Sequence, residues 1–530
     1  MSDWKQLFDN SHPKYFNPNE DAKLQYGTAG FRTKASVLPY VFYRVGLLAS
    51  LRSKSKAGQS IGLMITASHN PEQDNGIKLI DPSGEMLEQS WEPVATELVQ
   101  IKNDQVKEYV ETKLSNIEEG MPSTVIVGYD TRPSSKPLLE AALDGLRVFG
   151  TTVINYNLVT TPMLHFFVYN HNKNKRVYEE KEYFEHYGNA YQSYKKYLSS
   201  GNKSYSKNIA FDGANGVGGL KIGNLQTVVK SDLNIEVFNA DVTTLGKLNF
   251  QCGADFVKTR KTVPSGVPLS SSQSKYLSVD GDADRIIYWY PTSDNNVNLL
   301  DGDRIAVLLA MYINELLIKC NLKDSVQMKV IQTAYTNGNC TKFIKDDLGI
   351  DVIFTSTGVK YLHHEALKYD VGVYFEANGH GTVLFSEKLK TLLAEQNTES
   401  SKQFLNFIDM TNETVGDSFS IMLLIETVLQ AKDLALAQWY ALYHDLANKL
   451  STATVSNRNL IKTINADTEI VEPVGMQESI NKSVAKYKSA RSFVRPSGTE
   501  DIVRVYVEAE TNEDVKALTE EVQQIVKQYL

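Results

Sequence analysis

The sequence predicts an α/β protein: three α/β domains followed by a smaller C-terminal α+β domain. Three observations carry that prediction. Short β-branched runs recur, each ending in a polar, Gly-containing turn and followed by an amphipathic stretch, the strand–loop–helix rhythm of α/β domains. The 530 residues, 42% of them hydrophobic and 10% aromatic, exceed what one core organises and suffice for three to four folded domains. The last stretch changes character, alternating two strand-like runs before a charged helix.

The first domain spans residues 1–180. Its apolar run Ile61-Gly62-Leu63-Met64-Ile65 reads as a buried strand that delivers the loop Thr66-Ala67-Ser68-His69-Asn70-Pro71. A second strand, Thr124 to Asp130, leads into Thr131-Arg132-Pro133-Ser134. The polar, Tyr-rich residues 171–207 read as helix plus linker to the second domain, 181–300, where Asn208 to Gly213 repeats the pattern before Ala214-Asn215-Gly216. The pattern restarts at Asp301-Gly302-Asp303-Arg304 with the apolar helix Ile305 to Ile318, opening a third domain, 301–445, whose strand Val330 to Tyr335 precedes Thr336-Asn337-Gly338. The fourth, 446–530, sets Arg491 to Arg495 beside Ile502 to Val507 and closes on a helix over 512–529. The repeats are too distant and divergent for a solenoid.

Composition narrows the function. With 55 basic and 63 acidic residues the net charge is −8, without a long basic run, which argues against nucleic acid or an anionic membrane as partner. The three cysteines, Cys252, Cys320 and Cys340, are odd in number and widely spaced, as expected of free thiols in a reducing compartment rather than of disulfides or a zinc site. The N-terminal residues lack the apolar core of a signal peptide, and no uncharged apolar run approaches the roughly 20 residues of a membrane span. A cytoplasmic protein is expected.

Four loops carry chemistry. Ser68 follows a strand among small and polar neighbours, yet a serine hydroxyl reacts only when activated or when it carries a transferable group. In Asp280-Gly281-Asp282-Ala283-Asp284-Arg285 three alternate carboxylates can converge on Mg²⁺ or Ca²⁺. Arg285 in place of glycine, and the strand Ile286 to Tyr290 that follows, exclude an EF-hand; the competing reading is an acidic turn capped by Arg285. Arg495-Pro496-Ser497-Gly498-Thr499-Glu500-Asp501, with Arg504 beyond it, is either a multi-donor anion site or a tight turn. Its spacing is not that of a Walker loop. Glu376-Ala377-Asn378-Gly379-His380-Gly381-Thr382, after the strand Val371 to Phe375, suits vicinal sugar hydroxyls, with His380 able to move protons, or is a structural loop. Arg32, after a Gly-rich turn, and Lys78, which can return to Ser68 through a hairpin or short helix, are either site cations or solvated surface. Asp212 to Gly219 reads as a strand-to-helix turn rather than a dinucleotide site, and His363-His364 as helix surface or core polar residues rather than ligands.

Together these loops resemble the α-D-phosphohexomutase superfamily. The resemblance runs from Tyr26-Gly27-Thr28-Ala29-Gly30-Phe31-Arg32 to Arg504-Val505-Tyr506-Val507-Glu508-Ala509, with the four loops in the family's order and no departure at any motif position. It implies three phosphohexomutase-type α/β domains and a smaller C-terminal α+β domain around a central active-site cleft. It also implies reversible conversion of N-acetylglucosamine 6-phosphate to the 1-phosphate through a hexosamine 1,6-bisphosphate, in UDP-N-acetylglucosamine biosynthesis. By the same resemblance Ser68 carries the phosphoryl group, and Ser68, Asp280, Asp282 and Asp284 bind Mg²⁺. Glu376, Asn378 and His380 meet the sugar. Arg495, Ser497, Gly498, Thr499 and Arg504 clamp the non-reacting phosphate. Lys78 and His380 are the acid/base candidates, with Arg32 and Arg285 near the transferred phosphate. The competing activities are a phosphoglucomutase or phosphomannomutase type, a Mg²⁺-dependent phosphatase, and a non-catalytic sugar-phosphate-binding regulator.

Overall fold

The computed structural model describes residues 4–198, 201, 203–270, 275–292, 295–496 and 502–530. The chain forms two compact units, Met1–Leu299 with Asn406–Leu436, and Leu300–Leu405 with Ala437–Leu530.

Among the described residues the first unit holds two five-stranded sheets. One comprises β1 (Phe31–Lys34), β2 (Ile61–Ile65), β3 (Asp74–Ile80), β4 (Thr124–Tyr129) and β5 (Thr152–Leu158), in the order β1-β3-β2-β4-β5. β2, β4 and β5 run parallel, while β3 returns antiparallel to β2 with Met64 opposite Lys78. Every residue of β2 is buried, the signature of a strand covered on both faces. Helices Pro39–Ser55 and Ser135–Arg147 pack against each other through Gly46 and Gly145. A Cβ on either glycine would lie 2.2 Å from a backbone oxygen of the other helix, so only glycine permits this approach.

The second sheet is built from β6 (Asn208–Asp212), β7 (Asn234–Phe238), β8 (Lys275–Val279), β9 (Ile286–Pro291) and β10 (Val297–Leu300), in the order β10-β9-β8-β6-β7. The turn after β6 is structural: Asp212 accepts from the amides of Ala214 and Gly253 and from the Ser278 hydroxyl, and the helix Val217–Val229 follows. The helix Ser418–Ala431, which the sequence rhythm assigns to 301–445, packs with this first unit. Polar struts fasten it. Asp417 caps the helix and accepts from the Tyr183 hydroxyl, while Glu426 pairs with buried Lys275 and accepts from Tyr205 and Tyr288. Buried charges need such partners.

In the second unit, β11 (Met328–Thr333), β12 (Asp351–Thr355), β13 (Val371–Phe375) and β14 (Gly381–Phe385) form a sheet ordered β12-β11-β13-β14, accompanied by the helix Gly302–Lys319. β15 (Ala447–Thr454), the ribbon of β16 (Lys462–Ile464) and β17 (Glu469–Glu472), and β18 (Arg491–Pro496) with β19 (Ile502–Ala509) complete it. The helix Asn512–Tyr529 buries Val515, Leu518, Val522 and Val526 in one cluster with Val503, Val505 and Val507, the helical spacing meeting the alternating one. Of the pair expected as helix surface or core polar residues, His363 is buried and hydrogen-bonds the Tyr374 hydroxyl at 2.8 Å, while His364 is exposed. All three cysteines are free and buried. Among the described residues no helix is long and apolar enough to cross a membrane.

Candidate active site

In the first unit, β2 ends at Ile65 and the chain turns sharply. Ser68 adopts φ 50°, a left-handed conformation strained for a residue with a Cβ. The turn is held from within: the Ser68 amide donates to Thr66 Oγ1 at 2.9 Å, and that hydroxyl donates to buried Asp130 at 2.8 Å. The Ser68 hydroxyl donates to Asp280 Oδ2 at 2.5 Å.

Asp280 opens the loop between β8 and β9. Ala283, at φ 58°, bends that loop so that the three alternating carboxylates converge, with one oxygen from each of Asp280, Asp282 and Asp284 within 4.8 Å of the others. All three are buried. Burial, then the charges of Asp284 and Asp282, push the Asp280 carboxyl well above the usual carboxylate range. Asp282 Oδ1 is buried without a hydrogen-bond partner. Buried carboxyl oxygens crowded together, one of them orphaned, fit a hard divalent cation such as Mg²⁺.

Cations frame the carboxylates. β3 brings Lys78 back to them by the hairpin route, with Nζ 3.5 Å from Asp282 and 3.4 Å from Asp284. Burial opposes the Lys78 charge, but Asp282 and Asp284 outweigh it and the pKa rises. Arg285 lies 3.7 Å from Asp280 and 3.8 Å from Asp284. Arg32, on β1, has a buried Nη1 without a hydrogen-bond partner, and its pKa is lowered by burial and then by the Arg285 charge. His69 is driven down to about 3 by burial and by Arg285 and Arg32. Burial disfavours charge of either sign there, while the Arg285 and Arg32 guanidiniums beside His69 add a positive field that disfavours a further cation.

Three further residues, Arg132, Asn249 and Thr161, join the site without a motif to mark them in the sequence. Arg132 Nη2 donates to the carbonyls of Ser68 and Asn70 at 3.0 and 2.8 Å. Asn249 Nδ2 donates to the same two oxygens at 2.9 and 3.1 Å. The Thr161 hydroxyl donates to Asp282 Oδ2 at 2.6 Å. Arg132 lay in a loop already singled out; Asn249 and Thr161 gave no signal in the sequence.

In the second unit, the β13–β14 hairpin carries Glu376, Asn378 and His380. Gly379, at φ 87°, makes the tight turn, and Gly302 packs so close that a Cβ there would lie 1.8 Å from the Glu376 carbonyl. Asn378 donates to Glu376 Oε2 at 3.2 Å and accepts from the His380 amide at 2.9 Å, so side chains order the loop. His380 is buried. At the end of β18, Arg495 donates to the Thr357 hydroxyl at 2.6 Å and lies 3.7 Å from Asp467. Its cross-strand partner is Arg504, exposed on β19. Two guanidiniums at directly opposed positions repel unless an anion joins them. Ser497, Gly498 and Thr499 lie outside the described residues.

Comparison with known proteins matches four models in chain order. Residues 45–105 and 96–180 match phosphoglucomutase/phosphomannomutase alpha/beta/alpha domain I, and 174–287 match phosphoacetylglucosamine mutase AMG1 domain II. Residues 301–434 match phosphoacetylglucosamine mutase AMG1 domain III, and 461–525 the phosphoglucomutase/phosphomannomutase C-terminal domain. The phosphoacetylglucosamine mutase of Homo sapiens is 43% identical over 94% of this chain and 93% of its own length. That of Candida albicans is 41% identical over 98% of both. The crystal structure of Aspergillus fumigatus N-acetylphosphoglucosamine mutase in complex with GlcNAc-6P and magnesium superposes with a TM-score of 0.93, at 38% identity over 100% of this chain and 99% of that one. An N-acetylglucosamine-phosphate mutase in its product complex gives 0.93 at 40% identity over 99% and 100%.

Proposed function

The chain belongs to the phosphoacetylglucosamine mutase family, and on that premise we propose the site residues and roles that follow. The enzyme interconverts N-acetylglucosamine 6-phosphate and N-acetylglucosamine 1-phosphate through a 1,6-bisphosphate, an isomerisation that supplies UDP-N-acetylglucosamine synthesis. Support comes from near-full-length relatives of that name and from the related structures with GlcNAc-6P, magnesium and product. We divide the chain into domains 1–180, 181–300, 301–445 and 446–530, a division supported by the four consecutive model matches.

Ser68 carries the phosphoryl group. The sugar hydroxyl attacks phosphorus, the bond to Ser68 Oγ breaks as the bond to the sugar oxygen forms, and the hydroxyl proton passes to a base. Lys78 and His380 are our candidates for that proton transfer. The reoriented 1,6-bisphosphate then returns its other phosphoryl group: Ser68 Oγ attacks that phosphorus, its bond to the sugar oxygen breaks, and the freed oxygen takes up the proton, so the phosphate has changed position. Asp280, Asp282 and Asp284, with the phosphorylated Ser68, would hold Mg²⁺, which supplies neutralisation of phosphoryl charge when bound. Arg32 and Arg285 oppose the same charge. Glu376, Asn378 and His380 recognise the sugar, and Arg495, Ser497, Gly498, Thr499 and Arg504 the phosphate that is not reacting. The ligand is a small sugar phosphate. We place the protein in the cytoplasm, with neither nucleic acid nor membrane as partner, a reading supported by its free, buried thiols and its net charge of −8.

The observation that carries these roles is the 2.5 Å hydrogen bond from Ser68 to Asp280, within the converged carboxylates. Ser68→Ala, assayed for conversion of the 6-phosphate with a catalytic amount of bisphosphate, should lower turnover at least about a thousandfold. Wild-type turnover would remove Ser68 from the mechanism.

A further inference from the structure

The strained conformation of Ser68 needs a cause outside its own strand, and two side chains from different sheets supply one. Arg132 follows β4 of the first sheet, and Asn249 lies between β7 and the helix Gly253–Arg260, within the second-sheet portion of the same unit. Arg132 Nη2 and Asn249 Nδ2 converge on the same pair of acceptors, the carbonyl oxygens of Ser68 and Asn70, at 2.8–3.1 Å. Arg132 is buried. Asn249 is itself left-handed at φ 58° and is pinned through its amide to the Ala214 carbonyl at 2.9 Å. Two further contacts reinforce the second-sheet side. The Gly246 amide donates to Glu72 at 2.6 Å, and Gly281 packs so tightly that a Cβ would lie 2.7 Å from the Ser68 carbonyl.

We propose that Asn249 and Arg132 form a two-sided carbonyl clamp that orients Ser68 for phosphoryl transfer, both acting as positioning residues. The inference rests on reading Ser68 as the phosphoryl carrier. A carbonyl oxygen is the negative end of a dipole and would repel an approaching phosphoryl group. Donors on both sides hold the two carbonyls in fixed directions, and the geometry of Oγ toward Asp280 follows. The clamp also opposes relaxation. A cavity of about 640 Å³ adjoins the same loops, lined by His69, Asn70, Gln73, Asn249 and Asp255 among others. It gives an unclamped loop room to leave its strained conformation.

Asn249→Asp tests the clamp at nearly constant volume, because it replaces the donating amide by an acceptor; Asn249→Ala removes the group altogether. Each is mixed with Mg²⁺ and a hexose 1,6-bisphosphate, and uptake of phosphate on the protein is followed by intact mass. Uptake should slow at least about tenfold, with KM for the 6-phosphate within about twofold of wild type. Arg132→Lys keeps a charge but loses the planar fork and should be intermediate. Amide hydrogen exchange over residues 66–73 should quicken in all three variants, which reports the loop directly. Wild-type uptake by both Asn249 variants, alongside no uptake by Ser68→Ala, overturns the clamp and leaves the Ser68 reading standing. A rise in KM at unchanged uptake overturns it too. Uptake by Ser68→Ala refutes the underlying reading instead.

Discussion

The loops of the first unit and those of the second are built on opposite principles. Around Ser68 and the aspartates, side chains are buried and fixed by several partners: one serine is held through its amide, its hydroxyl and its carbonyl by Thr66, Asp280, Arg132 and Asn249. In the second unit, Asn378 bonds Glu376 and the His380 amide within one hairpin, Arg495 is partly exposed with one hydrogen bond to Thr357 and a carboxylate 3.7 Å away, and Arg504 is exposed. Bond-making at phosphorus tolerates little misplacement, whereas a recognition surface that must accept a sugar in two orientations gains from adjustable donors. On the proposed roles, rigidity falls to the part that reacts and latitude to the part that recognises.

The sharpest way to break that contrast is in the carboxylates. Asp280→Asn should lower turnover at least about a hundredfold and yet raise the melting temperature of Mg²⁺-free protein, because it removes a charge that is costly where it is buried. The pH dependence follows with a definite sign. The folded-state pKa of Asp280 is raised by burial and by Asp284 and Asp282. Its protonated form therefore favours the folded state, and that contribution is lost as pH rises from the ordinary carboxylate range through the raised value. Mg²⁺ should accordingly raise the melting temperature more at pH 7 than at pH 5, and EDTA should abolish turnover until Mg²⁺ is restored. Equal Mg²⁺ effects at both pH values would mean that proton and metal do not compete there.

A smaller effect is expected in the second unit. Arg495→Ala should raise KM by roughly 10- to 100-fold, the worth of lost charge-assisted hydrogen bonds, with kcat changed much less. A loss confined to kcat would give the phosphate loop the same rigid role as the serine loop. Smallest is Asp467→Asn. Asn465, Ala466 and Asp467 are three successive left-handed residues, and the turn they make sets the Asp467 carboxylate 3.7 Å from Arg495, where it would compete with the phosphate proposed for that guanidinium. Removing that charge should lower KM by about two- to fivefold, as expected of a partly exposed ion pair; an unchanged or raised KM would show that Asp467 does not compete.

What was legible in the sequence follows the same division between local and distant. Strands such as β2, β4, β13 and β19 show their burial in their own residues, and the alternate spacing of Asp280, Asp282 and Asp284 forecasts convergence because a short loop needs no distant help. Lys78 was legible through the hairpin, since ten residues suffice to turn and return. Asn249 was not: its partners lie 181 and 179 residues away, and an asparagine in a polar loop looks like any other. Arg132 stands in the loop after β4, but nothing local says that a guanidinium will reach back to two carbonyls. The membership of 406–436 in the first unit depends on Asp417 and Glu426 meeting Tyr183 and Lys275, a pairing that periodicity does not encode.

That last pairing bears on how the protein is made. Lys275 leaves the ribosome 151 residues ahead of Glu426, and Tyr183 leaves 234 residues ahead of Asp417. At translation speeds of about 5–20 residues per second, the lysine waits about 8–30 s for its counter-charge. Through that interval the second sheet carries an ammonium group destined for its interior with no carboxylate to receive it. The first unit therefore finishes folding only after most of the third segment has been synthesised, and a nascent chain arrested near residue 299 is expected to depend on chaperones.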